Sequence, residues 1–210
     1  MFTEKDYNKL HELVFRPDYS GYKPDVIEIP NGDGNADADK KYAHVAIKYM
    51  KTEQQRKDLM PYLEQAHEES MDAIFAVDLP FDYMPDIRYS SLRILDYPPG
   101  SISNKHEDFD LFTLMMYRDQ PDRFLSEDIK STTIDLIRKK NPQAHMGQLG
   151  TEIGLGPATP HWVLPSETRQ KSIVYFVIPD HNAVLPSGVV IRDWLNERMS
   201  RSRTSHENYK

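Results

Sequence analysis

The segment His106-Glu107-Asp108-Phe109-Asp110-Leu111-Phe112-Thr113-Leu114 places an imidazole and a carboxylate two residues apart, just before an apolar run. On a strand, the side chains of His106 and Asp108 leave the same face, whereas Glu107 points the other way. Both could therefore bind one metal ion. A hydrogen-bonded surface pair is the alternative for so short a pattern, and a metal site needs a third ligand from elsewhere in the chain.

His161 is the candidate third ligand. The chain has no cysteine, so any metal must be bound by histidine and carboxylate side chains. His161 stands in a second short segment with strand character, Ala158-Thr159-Pro160-His161-Trp162-Val163. Two imidazoles and one carboxylate on one face of a metal ion leave three positions open, and this arrangement suits Fe(II) oxygen chemistry. His67 and His145 lie within predicted elements and are interpreted as packed or surface residues.

Short strands separated by Gly, Pro and Asp dominate the chain after Pro85. They are predicted over residues 89–97, 112–117, 145–149, 160–164 and 172–178. Helical spacing predicts a long helix over 52–76, with Thr52 as its N-cap and Pro61 as the place for a break or kink. Shorter helices are expected over 129–139 and 189–199. A helix followed by many short strands predicts an α+β protein built on a β-sandwich or barrel.

The chain length sets the domain organisation. With 210 residues, the chain is long enough for one domain and too short for two ordinary ones. We expect a helical and irregular N-terminal part over 1–85, a β-rich core over 86–180, a closing helix within 181–199 and a flexible tail over 200–210.

The region before the long helix contains a strand and an acidic loop in this interpretation. Val26–Pro30 is rich in β-branched residues and ends at a proline, which predicts a short strand. The alternating acids over 31–39 resemble a calcium loop, but Ala36 replaces the required turn glycine and Tyr42 stands in place of the bidentate glutamate. We therefore expect a solvated loop there.

Charge and hydropathy limit the partners. The formal net charge is −7, with 33 acidic and 26 basic residues, which disfavours nucleic acid as a partner. The basic stretch over 198–203 lies in the tail and is interpreted as solubilising. No apolar run is long enough to cross a bilayer, and the first residues lack the features of a signal peptide. We expect a cytoplasmic protein without a membrane partner.

Taken together, the segments from about 90 to 180 resemble the isopenicillin N synthase-like Fe(II)/2-oxoglutarate oxygenases. Leu92-Arg93-Ile94-Leu95-Asp96-Tyr97-Pro98-Pro99, followed by His106-Glu107-Asp108 and Leu111-Phe112-Thr113-Leu114, resembles that family's first iron-binding block. Met146-Gly147-Gln148-Leu149, Thr151, Gly154 and the segment ending in His161 resemble its second block. Ser172-Ile173-Val174-Tyr175-Phe176 resembles the strand that closes its pocket.

The resemblance implies a fold, a metal and a class of reaction. The expected fold is a double-stranded β-helix (jellyroll) core with flanking helices, in which His106, Asp108 and His161 bind Fe(II) and act as the catalytic residues. The cosubstrates would be 2-oxoglutarate and O₂, with succinate and CO₂ as co-products and ascorbate as an optional reductant. Related halogenases lack the carboxylate, so Asp108 favours hydroxylation, desaturation or ring closure of a small molecule, such as an amino acid or biosynthetic intermediate.

The resemblance also implies residues for the far carboxylate of 2-oxoglutarate. The family supplies Arg-x-Ser on a strand and a tyrosine from the first block, and Tyr97 and Ser172 match two of these positions. The arginine position holds Gln170, flanked by Arg169 and Lys171. Arg169 would face away from Ser172 on a regular strand, but a bulge could turn it into the pocket, where a guanidinium would bind a carboxylate well. Arg169 is the favoured anchor; the alternatives are Gln170, Lys171 or an arginine elsewhere, such as Arg93.

Three other functions remain open at this stage. One is an oxygenase acting on a nucleobase or a protein side chain, which the acidic charge disfavours for nucleic acid. Another is a non-catalytic jellyroll that only binds a ligand, against which the intact His106, Asp108 and His161 count. The third is an oxygenase that does not use 2-oxoglutarate, a hypothesis that the imperfect Arg-x-Ser match supports.

Overall fold

The computed structural model describes residues 2–15 and 41–207; the predicted strand over 26–30 and acidic loop over 31–39 lie outside them. The helices are α1 (Glu4–Val14), α2 (Glu53–Ile74), α3 (Thr132–Arg138), α4 (Gln148–Glu152) and α5 (Ile191–Glu207). The strands are β1 (Lys41–Val45), β2 (Ser91–Tyr97), β3 (Ser103–His106), β4 (Phe112–Arg118), β5 (Phe124–Ser126), β6 (His145–Met146), β7 (His161–Val163) and β8 (Gln170–Val177). Within the described ranges, no helix is both apolar enough and long enough to cross a membrane.

The eight strands form two antiparallel sheets. The larger sheet has the order β1-β2-β8-β4-β6, and the smaller has the order β3-β7-β5. Rings from both sheets touch, since Phe124 of β5 and His161 of β7 each pack against His145 of β6. The surface of the larger sheet that faces the smaller one is called the inner face below. Side chains of the two sheets therefore meet in a shared interior.

The outer face of the larger sheet carries the main core. Side chains alternate along a strand, so every second residue of β2 and β8 projects outward toward α1 and α2. The fully buried apolar residues there include Leu92 and Ile94 of β2, Ile173 and Tyr175 of β8, Leu10 of α1, and Leu59 and Leu63 of α2. The inner face has a smaller apolar cluster of Leu95 and Val174, with Tyr97, Met115 and Phe176 around it. Because the inner apolar cluster is small, polar side chains also lie on the inner face.

Capping residues define the N-termini of two helices. Thr52 and Gln55 form a capping box at the start of α2, as the predicted N-cap requires, and α2 continues through the exposed Pro61 to Ile74. The sequence interpretation missed α1, although Thr3 and Asp6 form a capping box before it. That Thr-x-x-Asp pattern was a readable signal for a helix start.

The C-terminal helix is longer than predicted. It begins at Ile191, close to the expected position, and continues to Glu207, into the segment from residue 200 that was predicted as a tail. The reason is compositional, because no glycine or proline follows Gly188 to interrupt the helix.

A buried carboxylate fixes α1 to the larger sheet. Asp96 of β2 is 6% exposed, and its Oδ2 lies 3.1 Å from Nε2 of His11 in α1. Its Oδ1 lies 3.4 Å from Nη1 of Arg169, just before β8. Nearby, the Tyr7 hydroxyl donates to the Leu95 carbonyl oxygen at 3.1 Å. These contacts join three segments that are distant in the sequence.

We predict that Asp96→Asn lowers the free energy of unfolding by about 1–2 kcal/mol, because the carboxylate loses its charge-assisted contacts while His11 and Arg169 stay partly solvated. The exposed Asp122, which lies 3.6 Å from Arg123, is the matched control. Asp122→Asn should change the free energy by less than about 0.5 kcal/mol. Urea denaturation followed by circular dichroism measures both, and equal losses would contradict a special role for Asp96.

Candidate metal centre

Two short strands bring the candidate imidazoles together. His106 ends β3, His161 begins β7, and the two residues are directly opposite in the antiparallel ladder. Opposite residues project from the same face, and the ring centroids lie 4.3 Å apart. Asp108 follows two residues after His106, and one ligand atom from each of the three lies within 4.8 Å of the other two. The three predicted metal ligands thus form one cluster.

The hydrogen bonds of both imidazoles leave their Nε2 atoms available. Nδ1 of His106 lies 2.7 Å from the Asn104 carbonyl oxygen, and Nδ1 of His161 lies 3.1 Å from that of Thr159. Because a carbonyl oxygen only accepts, each Nδ1 donates and each Nε2 keeps its lone pair. The Nε2 atoms lie 3.7 and 3.6 Å from the Asp108 carboxylate, too far for hydrogen bonds. Metal-binding histidines are typically held in this way.

The backbone after β6 supports the loop that carries Asp108. The Gln148 amide donates to the Asp108 carbonyl oxygen at 2.8 Å, and the Gly147 amide donates to that of Leu111 at 3.1 Å. A Cβ on Gly147 would lie 2.1 Å from the Asp110 carbonyl oxygen, so a glycine is required for this close approach. The position of Asp108 is therefore set by main-chain contacts as well as by its own side chain.

A buried hydroxyl connects two carboxyl groups. Oγ1 of Thr113 lies 2.7 Å from Oδ2 of Asp108 and 2.8 Å from Oδ2 of Asp110. Burial, together with the Asp108 charge, raises the pKa of the Asp110 carboxyl well above its usual range. Because the hydroxyl has one hydrogen, a neutral Asp110 can donate to Thr113, which then donates to Asp108.

The surroundings of Asp108 and His161 lower the pKa values of both residues. Burial alone would raise the pKa of Asp108, but the His145 hydrogen bond and the charges of three imidazoles bring it well below its usual range. Burial, then the His145 charge, lowers the pKa of His161 to about 3. At neutral pH the cluster therefore has an ionised carboxylate beside a neutral His161, which are the forms that bind a metal.

A third imidazole contacts the same carboxylate. His145 of β6 is 1% exposed, and its Nε2 lies 3.0 Å from Oδ2 of Asp108. Its ring centroid lies 3.9 Å from that of His161. His145 is packed, as the sequence interpretation expected, but its contact with Asp108 was missed because it depends on the pairing of His145 with Thr113 across β6 and β4.

Two of the three residues expected to hold 2-oxoglutarate project from the inner face. Ser172 of β8 is directly opposite Leu95 of β2, and Tyr97 is opposite Gln170, with no shift in register along this ladder. Leu95 belongs to the inner apolar cluster, so these four side chains share the inner face. Burial raises the pKa of the Tyr97 hydroxyl, which therefore remains a hydrogen-bond donor at neutral pH.

The bulge that could turn Arg169 into the pocket is absent, and Arg169 lies on the outer face. The regular pairing of β2 with β8 continues to Gln170, so Arg169 points away from Ser172 and contacts Asp96 instead. Gln170, at the family's arginine position, uses its amide nitrogen to donate to the Leu164 carbonyl oxygen at 2.9 Å. Neither Arg169 nor Gln170 therefore places a guanidinium beside Ser172.

Arg118 of β4 supplies a guanidinium at this place. The register of β4 against β8 shifts between Met115 and Tyr117, and beyond this bulge Arg118 is directly opposite Ser172. Burial lowers the pKa of Arg118 to about 10, so the side chain is still a cation at neutral pH. Among the residues that the structure describes, no acceptor is within hydrogen-bond distance of its buried Nε.

One aromatic ring lies close to both Arg118 and the candidate cluster. The guanidinium carbon of Arg118 lies 4.8 Å from the centre of the Phe124 ring. The same ring is 5.5 Å from the rings of His161 and His145. The cation and the His-Asp-His cluster therefore lie close to the same ring. Arg118 was not predicted from the sequence, because its orientation depends on the bulge.

Comparisons with known proteins give matches at the level of structure. No protein-family profile and no curated protein sequence matches the chain. A proposed oxygenase from Shewanella oneidensis shares 20% identity over 77% of this chain and 71% of its own, with a TM-score of 0.55. A full-length protein from Neurospora crassa, solved in complex with alpha-KG, shares 16% identity over 85% of this chain and 72% of its own, also with a TM-score of 0.55.

A rice dioxygenase for auxin oxidation is also similar, with 14% identity, coverage of 93% of this chain and 80% of its own, and a TM-score of 0.51. The chain has the jellyroll fold of these oxygenases. The predicted α+β class with a double-stranded β-helix core and flanking helices is thus confirmed. At such low identities the likeness concerns the fold, and the roles of individual residues depend on the geometry described above.

We predict that His106→Ala, Asp108→Ala and His161→Ala each weaken binding of Fe(II) by more than about a hundredfold, since even partners that only support a ligand cost ten- to a hundredfold. Anaerobic titration with Fe(II) measures the affinity, and circular dichroism checks that each variant folds. His67, which is half-buried and bonded to Tyr175, provides the control His67→Ala with unchanged affinity. Tight stoichiometric binding by the triple variant would rule out this cluster as the metal site.

Proposed function

We propose that this protein is an Fe(II)- and 2-oxoglutarate-dependent oxygenase of the isopenicillin N synthase-like group that oxidises a small molecule. The observation that carries the proposal is that a His-Asp-His cluster and the guanidinium of Arg118 both lie beside the Phe124 ring, and we infer that they line one pocket. A metal and a dicarboxylate would together satisfy both sides of this pocket.

The donor set fits Fe(II). Neutral imidazoles and one ionised carboxylate suit this metal, and the set leaves positions open for other ligands. The side chain of His106 is 44% exposed, compared with 6% for His161, so the cluster is reached from the His106 side. When bound, Fe(II) and 2-oxoglutarate supply the O₂-dependent oxidation of a C–H bond, with succinate and CO₂ as co-products.

The chain's own residues would orient the cosubstrate. We assign Arg118 to the far carboxylate of 2-oxoglutarate, because a guanidinium binds a carboxylate through two parallel hydrogen bonds and its Nε lacks an acceptor among the described residues. Tyr97 and Ser172, on the same face, would donate to the same group. This assignment replaces Arg169, whose contact with Asp96 occupies it on the outer face.

The proposed substrate class is a small molecule. The net charge of −7 disfavours a nucleic acid, and the rice dioxygenase with this fold is named for the oxidation of auxin. The decisive assay incubates the purified protein with Fe(II), 2-oxoglutarate, O₂ and a metabolite extract. We expect succinate, and product masses raised by one oxygen or lowered by two hydrogens. Oxidation of a nucleobase or a protein side chain would change the substrate class, and absence of any succinate would favour a protein that only binds its ligand.

We predict that Arg118→Gln raises the dissociation constant for 2-oxoglutarate about ten- to a hundredfold, because a charge-assisted contact contributes about 1.5–3 kcal/mol. Arg169→Gln is the matched control and should leave this constant unchanged while lowering stability. The visible charge-transfer band of the anaerobic Fe(II) complex reports binding in both cases. The opposite pattern would restore Arg169 as the anchor, and a wild type without any such band would exclude 2-oxoglutarate.

A further inference from the structure

Among three histidines around Asp108, one makes a contact of a different kind. The Nε2 atoms of His106 and His161 lie 3.7 and 3.6 Å from the carboxylate, whereas that of His145 lies 3.0 Å from Oδ2. The last distance is a hydrogen bond, and the first two are not. His145 is thus hydrogen-bonded to Asp108, whereas the two proposed ligands are not.

The hydrogen on Nε2 of His145 follows from the contact of this atom with Asp108. A carboxylate only accepts, so Nε2 of His145 must carry the hydrogen. At the other end, Nδ1 of His145 lies 3.3 Å from the Gln143 carbonyl oxygen, a longer contact than the 2.7 and 3.1 Å of the equivalent atoms in His106 and His161. His145 therefore donates from the atom that the other two imidazoles leave free for a metal.

The two oxygens of Asp108 are consequently different. Oδ2 accepts from His145 at 3.0 Å and from Thr113 at 2.7 Å. Neither of these donors contacts Oδ1, which lies 3.7 Å from Nε2 of His106, whereas Nε2 of His161 lies nearest Oδ2, at 3.6 Å. With Oδ2 bonded to two donors, Oδ1 is the oxygen available to a metal on the side of His106.

We propose that His145 is a positioning residue that, with Thr113, holds Asp108 for binding the metal through Oδ1 alone. The proposal rests on the proposed function, since it assigns a role toward the same Fe(II) site. One carboxylate oxygen and two imidazoles occupy three coordination positions of the metal. A carboxylate that bound through both oxygens would occupy a fourth. His145 would thereby keep a position open for 2-oxoglutarate or O₂.

The packing around His145 limits the partners to which its ring can donate. The residue is 1% exposed, lies directly opposite Thr113 in the ladder, and packs against the rings of both Phe124 and His161. A buried donor in such surroundings has few alternative partners, so its hydrogen bond fixes the carboxylate orientation.

The test compares two amides at position 145. The amide nitrogen of glutamine reaches about as far as Nε2 of histidine, whereas that of asparagine reaches only to the position of Nδ1. Affinity for Co(II) and for Fe(II) is measured anaerobically, together with the Co(II) absorption spectrum, and thermal unfolding of the metal-free proteins checks that both variants fold. His67→Gln, outside the metal centre, is the control with unchanged affinity and spectrum.

We expect His145→Asn to weaken metal binding about ten- to a hundredfold and to alter the Co(II) spectrum, since the carboxylate becomes free to bind through both oxygens. His145→Gln should restore the affinity to within about threefold and retain the spectrum. Wild-type affinity and spectrum in both variants would overturn the positioning role. Equal losses in both, with a changed spectrum, would also overturn it and make His145 a ligand.

The outcomes also separate this inference from the proposed function. A wild type that binds Co(II) tightly but shows no charge-transfer band with Fe(II) and 2-oxoglutarate would refute the proposed function, while the comparison of His145→Asn with His145→Gln would still decide the role of His145. A wild type that binds neither metal would refute both.

Discussion

The buried carboxylate of Asp108 is stabilised by donors and imidazoles that come from both sheets. Asp108 has a side chain that is 13% exposed, and an ionised carboxylate at such a site is unfavourable unless donors or cations surround it. Its partners come from separate elements: Thr113 from β4, His145 from β6, and the imidazoles of His106 and His161 from the smaller sheet. The packing of the sheets and the geometry of the cluster therefore depend on each other. A bound divalent cation would add the missing positive charge at the centre of this group.

Local patterns predicted the parts of the fold that local physics controls. The Thr52 cap, the spacing of apolar residues in α2 and the strand around Ser172 follow from capping and periodicity, and all are present. The pattern His106-x-Asp108 with a distant His161 also predicted a cluster that the structure brings together. In each case the relevant neighbours lie within a few residues of one another, or the resemblance to a known arrangement supplied the distant partner.

The features that escaped prediction depend on cross-strand register. Arg118 reaches the inner face because a bulge between Met115 and Tyr117 changes which side of β4 its side chain leaves, and the sequence contains no separate mark of that bulge. The bulge that could have turned Arg169 inward would lie one strand away, on β8, whose ladder with β2 is regular up to Gln170. The contact of His145 with Asp108 has the same origin, since it requires the two-residue strand β6 to pair with Thr113.

The proposed anchor Arg118 and an arginine in an Arg-x-Ser pair can reach the same serine in an antiparallel sheet. In an Arg-x-Ser pair, the two Cα atoms are about 6.8 Å apart along one strand and both side chains share a face. A directly opposite residue on the neighbouring strand has its Cβ about 4.5–5.5 Å away, also on that face. Arg118 stands in this relation to Ser172, so a guanidinium can approach the same hydroxyl from the side instead of along the strand. Gln170 is then released to bond the Leu164 carbonyl oxygen and close the loop after β7, which is a structural role that an anchoring arginine could not fill at the same time.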